Sequence, residues 1–545
     1  MENRDYFREY ESSETKSLKR RNWLPLYLAL AFLAGIWIAY MFIPSSSNRN
    51  TSQQIDKFNE IMRYVNLYYI DTVDNDKLFE TAINSMLHSL DPHSAYANAE
   101  EQKALQEQLD GAFEGIGIQF NIVNDTVVVV QVITGGPSEK VGLRTGDRIV
   151  TVDGEDFAGI GIDNNMVYKY LRGSKGSLVK LGIVREGFNQ VYEFGIIRDM
   201  IPTYTVDVSY MIEPKTGYIK INQFGLTTAQ EFRNALKKLL GEGMEQLILD
   251  LRGNYGGYMD ACIDVCDELL PNGELIVYTE GLNSKPVEFN ATKKGAFEKG
   301  KLVVLIDEFS ASASEIVAGA VQDQDRGWIV GRRSFGKGLV QRQFDLRDRS
   351  SLRLTVSRYH TPSGRSIQKD YQEGYDAYSE DLIQRYEKGE MDSATNIVFD
   401  KSLEFKTKSG RTVYGGGGIM PDYFIPLDRD SNLNAFYQVL NFSALTEFAL
   451  QYSSQHQDEL RKNYKDTKDF VQKMTISEEM YQNLLKYYAS QNGNRKIDVN
   501  DASKKELKLW LKAIIGRNIF KEEAFYPVIN TEDKVVKKAL EVLLP

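Results

Sequence analysis

One stretch of the sequence places three serines where a strand gives way to a helix, an arrangement that suits acyl transfer. The run KLVVLIDEFSASASEIVAGAVQD begins as an apolar strand, passes through Ser310, Ser312 and Ser314, and continues as an amphipathic helix. A serine in such a turn can expose its hydroxyl, and the unpaired N–H groups at a helix start favour negative charge nearby. The structural alternative is a capping box, because Ser312 and Glu315 match the pattern S-x-x-E.

A serine nucleophile needs a base, and Lys337 is the candidate. None of the four histidines lies near the serine turn in sequence, which weakens a Ser-His-Asp interpretation without excluding it. In GRRSFGKGLVQ, Lys337 stands between two glycines and before a predicted strand. Desolvation can lower a lysine pKa from about 10.4 far enough for it to act as the base of a Ser-Lys pair. If Lys337 begins the strand, the period of two puts Gln341 on the same face, within reach of the amine. A solvated turn is the structural alternative.

Acyl transfer also requires N–H donors for the developing oxyanion. The predicted strand QLILDLR ends in the glycine-rich run GNYGGY, residues 253–258. Glycines let backbone N–H groups approach a ligand closely. The N–H of Ala313 and that of Gly256 or Gly257 could therefore form an oxyanion hole, although a tight turn at the end of a sheet strand explains the glycines as well.

A phosphate-binding loop is the competing interpretation of residues 331–337. Their spacing matches G-x-x-x-x-G-K, but Gly338 stands where the motif requires Ser or Thr. A strand, and not the helix whose N-terminus would hold phosphate, is predicted to follow. Nucleotide binding is therefore not expected.

Length and composition indicate a folded protein of several domains. The 545 residues correspond to about three or four domains, and 42% hydrophobic and 26% charged residues are typical of globular chains. A formal net charge of −10 argues against nucleic-acid binding. The two cysteines, Cys262 and Cys266, form neither a disulfide framework nor a zinc set, and we expect no metal or cofactor.

The N-terminal region predicts a membrane anchor. Residues 23–43 contain no charged side chain. This run is long enough for a helix to cross about 30 Å of hydrocarbon. Basic residues precede it, so the positive-inside rule keeps residues 1–22 in the cytoplasm and exports the rest. A cleaved signal peptide is the alternative, but cleavage after Ala31 would leave its apolar region too short. Residues 44–54 form a polar linker.

The hydrophobic periodicity and composition of the remaining chain change three times, which predicts a multidomain α+β protein. Residues 55–110 show helical spacing, and residues 111–200 are short β-branched runs separated by glycine turns. Residues 201–427 alternate strands with helices, as in an α/β sheet with helical cover. Residues 428–545 form a helical C-terminal extension without identifiable chemistry.

Several ordered motifs resemble those of the carboxyl-terminal processing peptidases, also called tail-specific proteases. They are DPHSAY (91–96), DLRGNYGGY (250–258), SASASEIVAGAVQD (310–323), SFGKGLVQ (334–341), TPSGRSIQ (361–368) and GGGGIMPD (415–422). The resemblance implies a protease core with Ser312 as the nucleophile, Lys337 as its base and Gln341 as the lysine's partner. It implies Gly256 and Ala313 as the oxyanion donors.

By the same resemblance, the β-rich residues look like the family's PDZ module. Residues Gly115, Ile116, Gly117 and Ile118 are similar to the loop whose N–H groups capture a peptide's C-terminal carboxylate. Arg172 occupies the place of an arginine that, in some members, contacts the catalytic domain when peptide is bound; a solvated arginine is the alternative. Two departures from the family pattern are the run Pro137–Gly142 and His360, which stands where an aromatic residue is common.

The resemblance predicts a serine endopeptidase that binds exposed C-terminal tails of exported proteins through its PDZ domain. The apolar run at residues 23–43 predicts a single membrane crossing, and the resemblance to bacterial members implies the inner membrane, with the catalytic part in the periplasm or otherwise outside the cytoplasm. A homo-oligomer or an adaptor protein is a further expected partner. The alternative is a PDZ scaffold with an inactive centre, which the presence of nucleophile, base and glycine turn does not favour.

Overall fold

The computed structural model describes residues 29, 31–35, 48–185, 190–292, 295–427, 431–441 and 443–544. The chain divides into two compact units, residues 1–82 and 83–545. The helices of the described residues are α1 (Asn48–Tyr68), α2 (Asn75–His88), α3 (Ala99–Asp110), α4 (Pro137–Val141), α5 (Asn164–Leu171), α6 (Thr228–Gly241), α7 (Met259–Leu269), α8 (Ala313–Asp323), α9 (Tyr375–Glu387), α10 (Asn434–Asn441), α11 (Ala444–Gln455), α12 (Gln457–Asn463), α13 (Thr467–Lys473), α14 (Glu478–Gln491), α15 (Asp501–Phe520), α16 (Glu522–Ile529) and α17 (Lys534–Leu543).

The strands of the described residues are β1 (Ala95–Ala97), β2 (Ala112–Gly115), β3 (Ile118–Ile122), β4 (Val127–Val132), β5 (Arg148–Val152), β6 (Glu155–Asp156), β7 (Leu178–Val184), β8 (Val191–Ile197), β9 (Asp199–Pro202), β10 (Val206–Glu213), β11 (Thr216–Ile221), β12 (Gln246–Asp250), β13 (Leu275–Gly281), β14 (Ser284–Asn290), β15 (Lys301–Ile306), β16 (Trp328–Gly331), β17 (Leu339–Asp345), β18 (Ser351–His360), β19 (Glu404–Lys406), β20 (Thr412–Tyr414) and β21 (Tyr423–Phe424).

The membrane anchor predicted from the sequence requires a correction. Of residues 23–43 the structure describes only residue 29 and residues 31–35, and the others lie outside the described residues. Within the described part of the chain, no helix is both long and apolar enough to cross a membrane. A span needs about 20 predominantly apolar residues, and the next helix, α1, is long enough but polar. The predicted transmembrane helix, the membrane as a partner and the single-pass inner-membrane location are therefore wrong for the described residues.

The β-rich segment folds into an antiparallel sheet with strand order β3-β4-β5-β7-β8. Apolar side chains from the strands and from α5 form its core, among them Val129, Ile149, Leu181 and Val167. Strand β3 is the edge of this sheet on the side of α5, and both border the groove described below. The short β-branched runs of the sequence therefore became strands with one buried face.

The α/β segment builds a six-stranded sheet with the order β10-β11-β12-β15-β16-β21. Strands β10 and β11 pair antiparallel, and the other pairs are parallel. Parallel strands need crossover connections, which α6, α7 and α8 contribute to. The sheet with helical cover predicted from the alternating pattern is present.

The two faces of this sheet are covered by different parts of the chain. Alternate residues of one strand point to opposite faces, so Leu247 and Leu249 pack with α6, α7 and α8, while Ile248 packs on the other side. There the covering helix is α17, with Val536 and Leu543 in contact with the sheet cluster. The end of the C-terminal extension thus completes the core of the α/β sheet.

A second sheet, β1-β18-β13-β14 with β17 on the other edge of β18, lies beside the first. Strands β17 and β18 form an antiparallel pair with a register shift between Val340 and Gln341. Strand β1 pairs with β18 through Ala95–Ala97 and so brings the DPHSAY segment to this sheet.

The C-terminal helices α10–α16 have their own apolar core and also contact the rest of the second unit. Arg252 forms an ion pair with Asp533 at 2.7 Å, and the Tyr526 hydroxyl donates to Asp207 at 2.8 Å. Gly146 of the β-domain packs so closely on Ser454 that a Cβ there would lie 1.9 Å from its hydroxyl. The extension therefore contacts both the β-domain and the α/β domain.

Adjacent leucines at the chain's end test whether α17 is part of the core. Leu543 is 2% exposed and Leu544 is 68% exposed. We expect Leu543→Ala to lower the free energy of unfolding by about 2–5 kcal/mol, because it leaves a cavity against the sheet. Leu544→Ala should change it by less than about 0.5 kcal/mol. Denaturant unfolding of both variants measures the difference, and equal values would show that α17 does not stabilise the sheet.

Candidate active site

The three serines of the predicted turn differ in what their hydroxyls do. Ser310 and Ser314 are both 0% exposed, and their hydroxyls donate to the carbonyls of Leu251 and Asn254, each at 2.9 Å. Ser312 is only partly buried, and its side chain makes no capping hydrogen bond to α8. Of the three, Ser312 alone has a hydroxyl that is available for chemistry.

The backbone at Ser312 is strained. It has φ 54° and ψ −112°, a conformation that costs of the order of 1–3 kcal/mol in a residue other than glycine. The N–H of Ser312 donates to the Glu315 carboxylate at 2.8 Å, and its carbonyl accepts the N–H groups of Glu315 and Ile316. The Glu315 half of the predicted capping box therefore forms, and it holds the strained turn.

Glu315 does more than cap the helix. Its buried carboxylate also accepts the Ser334 hydroxyl at 2.5 Å, the Gly336 N–H at 2.7 Å and the Lys337 N–H at 2.9 Å. Burial raises the pKa of Glu315 to about 7 against the opposing effect of these hydrogen bonds. One side chain thus joins the serine turn to the lysine loop, a role that the motif S-x-x-E alone could not reveal.

Lys337 lies on the loop before β17, in the same cleft as Ser312. Burial and, second, the positive charge of Arg353 lower its pKa to about 8, while the carboxylates of Glu315 and Asp91 oppose the shift. The buried Tyr359 hydroxyl donates to the Lys337 carbonyl at 2.7 Å and lies 3.2 Å from the Ser312 carbonyl. The sequence patterns predicted no role for Tyr359, which directly precedes His360.

Gln341 also lines the cleft, but its geometry differs from the expectation. Strand β17 begins at Leu339, so Lys337 stands outside the strand and the period of two does not relate it to Gln341. The Gln341 amide lies 3.5 Å from the Thr355 hydroxyl, a weak contact, and makes no hydrogen bond to the lysine amine among the described residues. Both side chains nevertheless face one cleft.

The glycine turn packs directly against the serine turn. A Cβ on Gly256 would lie 2.8 Å from the Ser312 Cβ and 3.1 Å from the Ala313 nitrogen, and its φ of 102° also requires glycine. Its N–H donates to the Asn254 side chain at 2.9 Å. In contrast, the N–H groups of Ala313 and Gly257 make no hydrogen bond to any described residue. Of the two glycines, Gly257 is therefore the one whose N–H is available to a ligand.

The cleft that these residues share has a volume of about 490 Å³. Its apolar wall includes Leu105, Leu109, Met259 and Ile316. Among the described residues that line the cleft there is no histidine. The partly buried His93 lies near enough for the charge of Lys337 to matter, but desolvation first, and that charge second, lower the pKa of His93 to about 3. Among the described residues, no group of three or more His, Cys, Asp or Glu is arranged to hold a metal ion.

The residues predicted to bind a peptide carboxylate line a separate groove of the β-domain. Gly115 to Ile118 and Arg172 border it together with Phe120 and Tyr168. The N–H groups of Ile116 and Gly117 have no hydrogen-bond partner among the described residues. Unpaired N–H groups beside an edge strand are the arrangement that captures a terminal carboxylate and adds the peptide to the sheet.

Arg172 connects this groove to the helix beside the catalytic cleft. Its guanidinium forms an ion pair with Glu107 of α3 at 2.8 Å and lies over the rings of Phe113 and Tyr168. On the same helix, Leu105 and Leu109 line the cleft. Arg172 thus contacts a helix that borders the catalytic cleft, but it is not among the residues that line the cleft.

A strained serine before a helix, a lysine in the same cleft and a β-domain with unpaired N–H groups beside its edge strand indicate the class of a PDZ-containing serine protease, and comparisons with known proteins agree. Residues 215–374 match peptidase family S41, residues 115–193 match the PDZ domain, and residues 41–101 match the activating protease CtpB N-terminal domain. Residues 435–521 match a family of unknown function.

The carboxy-terminal-processing protease of Bartonella bacilliformis is 38% identical over 348 residues, covering 62% of this chain and 79% of that protein. The carboxy-terminal processing protease CtpA of Bacillus subtilis is 35% identical over 317 residues, covering 58% and 67%. The solved photosystem II D1 C-terminal processing protease is 26% identical, covers 68% of this chain and 86% of its own, and superposes with a TM-score of 0.34. The chain belongs to peptidase family S41, as a serine-type C-terminal processing protease with a PDZ domain.

Proposed function

We propose that this protease cleaves peptide bonds by a Ser-Lys mechanism, with Ser312 as the nucleophile and Lys337 as the base. One observation carries the proposal: the unengaged hydroxyl of Ser312 and a lysine whose pKa is lowered to about 8 border the same cleft. An amine with a pKa of about 8 is neutral in roughly a tenth of molecules at pH 7, far more than a lysine with its ordinary pKa, and a neutral amine can accept a proton.

In the acylation step, the Ser312 oxygen attacks the peptide carbonyl carbon while its proton passes to the Lys337 amine. The C–O bond forms and the carbonyl becomes an oxyanion. The resulting ammonium donates that proton to the departing nitrogen as the C–N bond breaks, which leaves an ester on Ser312 and a neutral lysine. Water then attacks the ester with Lys337 again as the base, and the proton returns to Ser312.

The oxyanion requires two donors near Ser312. The Ala313 N–H, unpaired at the start of α8, supports its assignment as one of them. Gly256 can act as the second only if its N–H leaves Asn254, whereas the Gly257 N–H is already unengaged. We therefore assign Gly256 as the glycine that lets the glycine turn approach the serine turn closely. Either Gly256 or Gly257 supplies the second oxyanion donor.

The substrate class follows from the PDZ groove. We propose that Gly115, Ile116, Gly117 and Ile118 bind the terminal carboxylate of an extended tail, which pairs with the edge strand β3. Arg172 adds positive charge to the rim of this groove, and the carboxylate of the tail competes with Glu107 for its guanidinium. An unfolded C-terminus offers both a free carboxylate and an extended backbone.

A synthetic unstructured peptide with an apolar C-terminus, made as the free acid and as the C-terminal amide, tests this function. We expect the intact chain to hydrolyse the free acid, and KM for the amide to be about tenfold higher because charge-assisted hydrogen bonds are lost. Mass spectrometry identifies the cleaved bond and initial rates give KM. Cleavage should persist in a chelator.

Two outcomes would contradict this proposal. Equal KM values for acid and amide would exclude carboxylate recognition by the groove. Binding of the free acid without turnover would instead identify the chain as an inactive tail-binding scaffold.

A further inference from the structure

The DPHSAY segment lies beside β18 and has no role in the chemistry described so far. The buried carboxylate of Asp91 accepts the N–H groups of His93 and Ser94 at 2.8 and 2.9 Å and the Ser94 hydroxyl at 2.5 Å. It also accepts the Thr355 hydroxyl, from β18, at 2.9 Å. Four hydrogen bonds therefore hold this carboxylate in one orientation.

Thr355 extends this contact to the cleft. Its N–H donates to the Ser94 hydroxyl at 3.1 Å, and its own hydroxyl donates to Asp91. Because that proton is used, the Thr355 oxygen presents a lone pair to the amide of Gln341, which lies 3.5 Å away and borders the cleft with Lys337. Asp91, Thr355 and Gln341 form one chain of contacts that ends beside the proposed base.

We propose that Asp91 and Thr355 are positioning residues of the catalytic centre, which orient Gln341 and place a fixed negative charge beside Lys337. The proposal rests on the proposed Ser-Lys function. Thr355 sets the direction of the Gln341 amide, and Asp91 sets the direction of the Thr355 hydroxyl. Neither residue is proposed to touch the substrate.

The charge of Asp91 matters when Lys337 takes up the serine proton. Burial disfavours the ionised carboxyl, but the hydrogen bonds from Ser94, His93 and Thr355 outweigh it and keep the pKa of Asp91 below its ordinary value. The charge of Asp91 raises the pKa of Lys337. It therefore favours the ammonium that forms as the oxyanion develops.

The groups that face Lys337 come from several elements. Arg353 of β18 lowers its pKa, while Glu315 of α8 and Asp91 raise it. His93 is neutral near pH 7, because burial and the charge of Lys337 lower its pKa to about 3. Asp91 is therefore one of two carboxylates that counter Arg353, and its removal should lower the pKa of Lys337.

Steady-state kinetics of the full chain on the free-acid peptide, from pH 6 to pH 10, test the proposal. We expect Thr355→Val to lower the plateau kcat by about 10- to 100-fold with KM within about twofold, because Gln341 loses its acceptor. Thr355→Ser keeps the hydroxyl and should retain most of the activity. Thr412→Val, at an exposed position of β20 outside the cleft, is the matched control.

Asp91→Asn distinguishes positioning from a merely structural role. It should lower the plateau kcat and move the midpoint of the pH profile to lower pH, because the group that favours the ammonium is gone. Thr355→Val keeps the carboxylate and should leave the midpoint near that of the intact chain. A loss of folded protein would reduce the amount of active enzyme without moving the midpoint.

Lys337→Ala in the same series separates the two proposals. If Lys337→Ala is inactive while Thr355→Val and Asp91→Asn keep the kcat and the midpoint of the intact chain, the positioning role is overturned and the Ser-Lys function stands. If Lys337→Ala retains cleavage, both fall. Should Asp91→Asn not fold, the kcat of Thr355→Val and its recovery in Thr355→Ser decide alone.

Discussion

Replacement of Ser312 by alanine should lower kcat for tail cleavage by at least about 10⁴-fold, the scale found when the nucleophile of a serine protease is removed. The hydroxyl of Ser312 is the one unengaged hydroxyl among the three serines of the turn. KM should change little, because the groove proposed to recognise the tail is separate from the serine. Steady-state kinetics on the free-acid peptide measure both constants.

Ser310 and Ser314 provide matched controls within the same turn. Ser310→Ala and Ser314→Ala each remove a hydrogen bond to a buried carbonyl, so we expect each to lower the free energy of unfolding by about 1–3 kcal/mol. Both should still react with a serine-directed phosphonate reagent, which should not label Ser312→Ala. Labelling of the Ser312→Ala chain in the cleft, or cleavage at the intact rate, would assign the nucleophile to another residue.

Replacement of Lys337 by methionine should reduce kcat by about 10³- to 10⁴-fold or more, because it removes the proposed base of the serine. Methionine keeps most of the side-chain volume but cannot accept the proton. The exposed Lys237 of α6 is the control, and Lys237→Met should have the kcat of the intact chain. Retained cleavage in Lys337→Met would contradict the Ser-Lys mechanism while leaving the family assignment unaffected.

The pH profile gives a second measurement of the same base. In the proposed mechanism the neutral amine is the active form, and burial together with Arg353 lowers the pKa of Lys337 to about 8. Below that pH, kcat should therefore rise by about tenfold per pH unit, and above it kcat should level off. A profile that is flat from pH 6 to pH 8 would exclude an amine with this pKa as the base.

Several features of the site could be predicted from the sequence because they depend on neighbours in the chain. The alternation of apolar residues indicated the strands that end at the glycine and serine turns, and these turns do meet at Gly256 and Ser312. The glycines beside Lys337 indicated a turn before a strand, and β17 does begin two residues after the lysine. The motifs themselves predicted the family, which the comparisons confirm.

Other predictions failed or changed because a local pattern has more than one three-dimensional outcome. An apolar run predicted a spanning helix that the described residues do not contain. The period of two related Gln341 to Lys337, but the strand begins two residues after the lysine. S-x-x-E predicted a helix cap, yet Glu315 also binds the lysine loop about 20 residues away.

The contacts that organise the site join residues far apart in the chain, and no local spacing encodes them. Asp91 meets Thr355 across 264 positions, and Asp533 meets Arg252 across 281. Burial drives each strand and helix to cover an apolar face, so the sequence establishes which residues are inside and which turns carry the chemistry. The partner that covers each face is selected by packing and hydrogen-bond satisfaction over the whole molecule, which is why the support of Lys337 and the position of α17 appear only in the folded chain.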